Sequence, residues 1–436
     1  MRKRLLSEGA KELSYEIREI VKKADQLHDL GLPIHWENIG DPIEKGCQVP
    51  AWIKDILTCL VNENRSYSYC PSKGVLKTRE FLAAQTNRVG GAQITANDIL
   101  FFNGLGDAIA TIYGLLAMTS RIIGPSPAYS THSSAEASHA HTTPITYRLD
   151  PKNHWYPDLE ELENNIKYNP NIVAILIINP DNPTGMVYPL EYLKKIVDIA
   201  RRYHLFILCD EIYNKIVYNG ARAYALAEYI EDVPGIALKG ISKEYPWPGA
   251  RCGWAEYYNR SLDPEFDLFC RAIDNAKMIE VCSTTMPQLT IPKVLGDKRF
   301  AAHRTHLNEL IGRRSSIISE ILSEVPELNF NPTYGAFYNT ITFKDGVLNN
   351  RQTLKIENPI IREKVEKWCE GVSLDYRFVY YLLGATGICV VPSSSFCSEL
   401  QGFRVTLLEE DEDELRNVFS TMRDAIRSYV KSDKNK

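Results

Sequence analysis

The chain has 436 residues, 44% hydrophobic and 24% charged, with a formal net charge of −5. At roughly 100–200 residues per domain this is two or three domains, with enough chain to bury a core that needs no metal or disulfide. The acidic balance excludes a basic sheath for nucleic acid. The start, Met1-Arg2-Lys3-Arg4, has no apolar stretch after it and so is not a secretory signal, and the longest clean apolar run, Ile172 to Ile178, is too short to span a bilayer. Ten scattered cysteines without a CxxC pair or zinc spacing predict reduced thiols, no metal site and a cytoplasmic protein.

In chain order, an amphipathic segment comes first, with Leu13, Ile17, Ile20, Val21 and Ala24 on one side and no obvious local partner. Five short apolar runs follow: Ile99–Phe102, Arg121–Ile123, Ile172–Ile178, Leu205–Cys209 and Ile236–Leu238. Each is bounded by Gly, Pro, Asn or Asp, the pattern of strands buried on both faces. Helix-period segments lie between them, one through Ile109, Ile112, Leu115 and Leu116, another through Leu190, Leu193, Ile196, Val197 and Ala200. Alternating strands and helices predict an α/β domain on a mainly parallel central sheet, placed at residues 46–297. A long amphipathic stretch near 298–324 follows, then strand-like Phe337–Phe343, Gly387–Val391 and Phe403–Leu408, and a helix through Leu415, Val418, Phe419, Met422, Ile426 and Val430. These predict a smaller α+β domain from residues 1–45 and 298–436. The polar interval 344–378 is expected to be a surface insertion, and Lys431–Lys436 a disordered tail.

The unusual polar residues fall where each strand ends. Asn103-Gly-Leu-Gly-Asp107, Pro125-Ser-Pro-Ala-Tyr129, Asn179-Pro-Asp-Asn-Pro-Thr-Gly185, Asp210-Glu-Ile-Tyr213 and Ser242 to Arg251 follow the five strands in turn. Ligands of open α/β sheets bind beyond the carboxyl ends of the strands. The set offers an anion cradle, an aromatic, an amide, a carboxylate, an amine and a guanidinium. That suits a phosphorylated, aromatic, carbonyl-bearing cofactor. A carboxylate after the buried run Phe206–Cys209 needs a partner, because burying it unpaired is costly. Each feature alone has a plainer reading: Asp210 as a helix cap, the Gly-rich turn as structure, the arginines as surface ion pairs.

In their order and spacing, from Asn38-Ile-Gly-Asp-Pro42 to Phe403-Arg404, these motifs resemble the class I/II aminotransferases, fold-type-I enzymes that depend on pyridoxal 5′-phosphate (PLP). The resemblance covers nearly the whole chain. It implies that Lys243, in Ser242-Lys243 with Gly249 and Arg251, forms the Schiff base with PLP and carries the proton between Cα and the cofactor. It implies that Asp210 pairs with the pyridinium N–H, that Tyr213 and Asn182 donate to O3′, and that Tyr129 stacks on the ring. Leu105, Gly106, Ser242 and Arg251 are implied for the phosphate, and Arg404, with Gly40 and Asn182, for the substrate carboxylate. Tyr69, in Tyr69-Cys-Pro-Ser-Lys-Gly74, matches a tyrosine that reaches the phosphate of a neighbouring subunit, which implies a homodimer with shared sites. Two departures stand out. Gly240 occupies the position, three before the lysine, where the family often has a serine, and two prolines flank Trp247 in the loop after Lys243.

The resulting expectation is a cytoplasmic aminotransferase that moves an amino group between an amino acid and a 2-oxo acid, with neither nucleic acid nor membrane as partner. A PLP-dependent C–S β-lyase or other amino-acid lyase is the alternative on the same scaffold. A PLP-binding regulatory domain is the third reading. It is disfavoured because only about 40 residues precede Gly40, too few for a DNA-binding module. No second arginine for a dicarboxylate side chain is evident in the sequence.

Overall fold

The structure is a computed structural model and describes residues 6–13 and 17–433. The basic start and residues 434–436 of the expected tail lie outside the described residues, whereas Lys431 ends the last helix. Helix α1 is Ile17–His28. The large sheet comprises β1 (Ile99–Phe102), β2 (Arg121–Ser126), β3 (Thr146–Asp150), β4 (Tyr156–Pro157), β5 (Ile172–Ile178), β6 (Phe206–Asp210), β7 (Gly235–Gly240) and β8 (Gly253–Tyr258). Its strand order is β1-β8-β7-β6-β5-β2-β3-β4.

Strands β2, β5, β6 and β7 are parallel neighbours. β8 is antiparallel to both β7 and β1. Two reversals restore direction, so β1 points the same way as the parallel strands although it touches none of them. All five expected strands therefore present their carboxyl ends at one edge.

The apolar runs are continuous because both faces of the sheet are covered. Ile175 and Ile177 face one core layer with Ile207, Cys209 and Phe101. Ala174, Leu176 and Ile178 face the other with Leu208, Leu238 and Phe102. This is the two-residue alternation of a strand. Helix α2 (Leu105–Gly114) buries Ala108, Ile109 and Ile112 in the second layer. It ends at Gly114, so Leu115, expected on its apolar side, becomes an exposed cap residue. Helix α3 is Ser130–Ala140, and helix α4 (Leu190–Arg202) packs the first layer through Leu193, Ile196, Val197 and Ala200. Pro264–Ile279 forms α5.

A third core gathers α1, α6 (Lys298–Leu322), α7 (Pro359–Trp368), α8 (Leu374–Thr386) and α9 (Glu412–Lys431) around a second sheet. That sheet has the order β9-β10-β12-β11, with β9 Leu328–Asn329, β10 Tyr338–Phe343, β11 Val391–Pro392 and β12 Gly402–Thr406. Two sequence expectations change here. Ile20, Ala24 and Leu27 of α1 are buried in this core and Val21 packs against it, so this part of the N-terminal amphipathic face is partnered within the chain, whereas Leu13 stays exposed. Ile356, Ile361, Val365 and Cys369 are buried there too, so the 344–378 interval supplies core as well as surface.

Candidate active site

The common edge of β1, β2, β5, β6 and β7 opens on a cavity of about 320 Å³. Its lining includes Gly40, Leu105, Gly106, Tyr129, Asn182, Asp210, Tyr213, Ser242, Lys243, Arg251 and Arg404. A larger cavity of about 600 Å³ lies at the opposite strand ends, against Val173 and Phe206, and has no lysine in its lining. Converging chemistry, not volume, distinguishes the candidate site. Of the sequence candidates only Tyr69 is absent from the 320 Å³ cavity; it stands 83% exposed on the surface.

One end of the cavity is built for an anion. Helix α2 starts there, and no side chain caps its first turn, which leaves backbone N–H groups and the positive end of the helix dipole free. Gly104, at φ +86°, precedes it; a Cβ there would lie 2.4 Å from the Arg251 guanidinium. The missing side chain is what lets Arg251 approach the helix end. Arg251 itself has φ +49° after a short turn at Pro248–Ala250, so the proline-flanked loop places it rather than disrupting it. Ser242 lines the cavity and Gly240 does not. At Gly240 a Cβ would meet Ile212 and the Cys252 carbonyl at 3.0 and 3.1 Å, so a serine would crowd its neighbours.

At the floor, Asp210 is buried at the end of β6 and accepts a hydrogen bond from the Ile212 amide at 3.0 Å. Its other oxygen lies 3.2 Å from His132 Nε2, and His132 Nδ1 lies 3.5 Å from the Tyr113 hydroxyl. His132 was not anticipated. Its signal is its place three residues after Tyr129 on the first turn of α3, but a single histidine at helical spacing is weak evidence by itself.

On the far side, Lys243 Nζ donates to the Gly40 carbonyl at 2.8 Å. Arg404, 3% exposed on β12, donates to the Asn38 carbonyl at 2.8 Å and to Asn182 Oδ1 at 3.3 Å. Both acceptors are neutral, and Arg404 Nε has no partner among the described residues. A buried guanidinium whose hydrogen bonds go only to neutral oxygens is incompletely compensated and suits an anionic ligand. Tyr338 lines the cavity beside it, also unanticipated. Among the described residues no His/Cys/Asp/Glu cluster could hold a metal ion, and no helix is long and apolar enough to cross a membrane.

Asp181, in the turn that carries Asn182, is fully buried. Burial pushes its carboxyl up to about 7, against hydrogen bonds from Thr184 that favour the charge. The folded state therefore holds this proton more tightly than the unfolded chain does. Its contribution is present below the unfolded value of 3.8 and is lost as pH rises through about 7. Asp181→Asn should be more stable than the parent at pH 8, by on the order of 4 kcal/mol, and gain little near pH 4. Urea midpoints at the two pH values check this, and equal offsets at both would contradict it.

The architecture is that of the fold-type-I transferases, a mainly parallel α/β sheet flanked by helices with a smaller antiparallel sheet beside it. Residues 38–420 match the family model of the aminotransferases of class I and II. The chain is 54% identical, over 99% of its length and 100% of the relative's, to an uncharacterized aminotransferase of Methanocaldococcus jannaschii. It is 35% identical to the alanine aminotransferase of Mycobacterium tuberculosis, over 77% of this chain and 78% of that one. Among solved structures, the alanine aminotransferase from Pyrococcus furiosus matches with a TM-score of 0.83 at 25% identity, covering 97% of this chain and 99% of its own. An Escherichia coli aminotransferase matches in fold with a TM-score of 0.84 at 24% identity, over 98% and 99% of the two chains. The chain belongs to the class I and II aminotransferase family.

Proposed function

We propose that the protein uses PLP, held at Lys243, to move an amino group between an amino acid and a 2-oxo acid. The observation that carries this reading is the shared cavity of Lys243 and Arg404, an amine and an incompletely compensated guanidinium facing one space. The residues present fit the cofactor. The uncapped start of α2, Ser242 and Arg251 suit its phosphate. Asp210, buried and backed by His132, suits the pyridinium N–H, and Tyr213 and Asn182 suit O3′ as donors. Tyr129 offers an aromatic face for the ring. When bound, PLP supplies an electron sink for the substrate's Cα.

The chain's own residues do the rest. Arg404, with Asn182 and Gly40 beside it, grips the α-carboxylate through a planar fork and orients the amino acid. Lys243 Nζ takes the Cα proton and returns it on the other side of the transfer. Asp210, with His132 behind it, holds a proton at the ring nitrogen, and the buried surroundings exclude competing water. Residues 46–297 serve in this reading as the cofactor domain, and 1–45 with 298–436 as the smaller domain that carries Arg404; the cores follow that division in the main, with Tyr213, Ile216 and Tyr218 joining the smaller domain's core and Phe300 the larger one's. Ten free cysteines support a cytoplasmic setting.

A panel of amino acids mixed with the purified protein tests the reaction through chromophore absorbance and 2-oxo acid formation. Alanine and glutamate head the panel, because several relatives carry the names alanine and glutamate-pyruvate aminotransferase. Stoichiometric transfer to a 2-oxo acid supports the reading. Release of ammonia or a thiol instead makes the protein the lyase alternative.

The active form in this reading is a homodimer in which Tyr69 serves the neighbour's phosphate site. Tyr67 is exposed two residues before it; Met278, Ile279 and Val281 are exposed just ahead of Ser283 and Thr285, which meet the Tyr69 loop through a Cys70 Sγ contact to the Ser283 carbonyl and a 2.8 Å bond from Thr285 to the Ser68 carbonyl. Grouped exposed apolar residues mark interaction surfaces. Sedimentation should show a dimer, and Tyr69→Phe should loosen cofactor retention. A fully active monomer would refute the shared site.

A further inference from the structure

Tyr338 meets three residues of the cavity lining, Arg404, Tyr213 and Gly40. It stands on β10, and the β10–β12 register pairs Thr340 with Arg404. Tyr338 is thus the diagonal same-face neighbour of Arg404, within reach of a long side chain. Its ring centre lies 4.4 Å from the Arg404 guanidinium carbon, and the Phe396 ring centre lies 4.9 Å from the same carbon. Its hydroxyl accepts a hydrogen bond from the Tyr213 hydroxyl at 3.1 Å. The same hydroxyl fills the space above Gly40, where a Cβ would lie 2.1 Å from it.

From this placement we infer that Tyr338 is a positioning residue that joins the substrate grip to the cofactor's 3′-oxygen site, its ring holding Arg404 and its hydroxyl backing Tyr213. This rests on the function proposed above. A phenol has one proton to give and lone pairs to accept with. If Tyr213 turns its proton to an acceptor in the cavity, Tyr338 is the donor that replaces it on the Tyr213 oxygen. Such a chain makes Tyr213 a stronger donor. Burial, with Tyr338 next in effect, keeps the Tyr213 hydroxyl protonated well beyond the neutral range. The other titratable groups facing this pair are Lys243, Asp210, Tyr129 and Arg404.

The two functions separate by substitution. Tyr338→Phe keeps the ring and removes the proton. The pH midpoint of the lysine-bound chromophore should rise by roughly 0.3–1 pH unit, because negative charge on the 3′-oxygen loses support. KM for the amino acid should stay within about twofold, since the ring that holds Arg404 is intact. Tyr338→Leu removes the ring and should raise that KM by roughly 3–30-fold. A residue that only fills space would leave the Tyr338→Phe midpoint unmoved. An unmoved midpoint in Tyr338→Phe, or an unmoved KM in Tyr338→Leu, overturns the assignment. Failure of the underlying reading is distinguishable, because a wild-type protein without a lysine-bound chromophore shows it before any variant is made.

Discussion

Lys243→Ala should lower turnover by roughly 10²–10⁴-fold or more, the range lost when a positioned acid–base group is removed. The structure separates this lysine from other enclosed ones. Lys239 is ion-paired to Glu256 at 2.7 Å and Lys277 to Asp107 at 2.8 Å. Lys45 lies 3.2 Å from Glu37. A carboxylate stabilises the charged ammonium and so opposes nucleophilic use of the amine. Lys243 Nζ is held by a neutral carbonyl and faces the cavity. Its replacement breaks one hydrogen bond to Gly40, so the variant should fold. Borohydride reduction of the cofactor-loaded parent, followed by peptide mapping, should place the pyridoxyl group on Lys243, and a label on another lysine sinks the assignment.

Arg404→Ala should raise KM for amino acids by roughly 30–5,000-fold, as expected when truncating one partner of a buried charge-assisted pair costs about 2–5 kcal/mol. Cofactor retention should be nearly unchanged, because Arg404 lies on β12 among Asn38, Asn182 and Tyr338. Arg251→Ala should do the reverse. Its guanidinium sits against Gly104 at the start of α2, where an anion would bind. Equilibrium dialysis of PLP and steady-state KM on the same two variants read the difference. Loss of PLP from Arg404→Ala with amino-acid affinity preserved would reverse the two roles.

The five strands that position the site were legible because each is a short apolar run closed by a polar turn, and both signals are local. β8 was not legible. Glu256 interrupts its apolar run, and a charged residue inside a strand reads as surface. The tertiary structure gives that carboxylate Lys239, the Trp254 ring N–H at 3.0 Å and the Tyr258 hydroxyl at 2.6 Å, so it is buried at little net cost. The α1 face likewise read as unpartnered because the core it joins is built largely from residues hundreds of positions away, Ile388 among them.

The sequence by itself determined the five strands that carry the site, their order, the chemistry at each strand end and the family the motifs resemble. These depend on periodicity and on residues that are neighbours in the chain. Tertiary structure alone decided that β1 points with the parallel strands, since that direction comes from two antiparallel pairings with β8. It also decided which buried lysines are neutralised and which one faces the cavity, and it brought His132 to Asp210 and Tyr338 to Arg404. Apart from the Lys45–Glu37 pair, only eight positions apart, these are contacts between residues distant in the chain. Such contacts form only when burial of both sheet faces and of the second core fixes the register, and no local pattern encodes them.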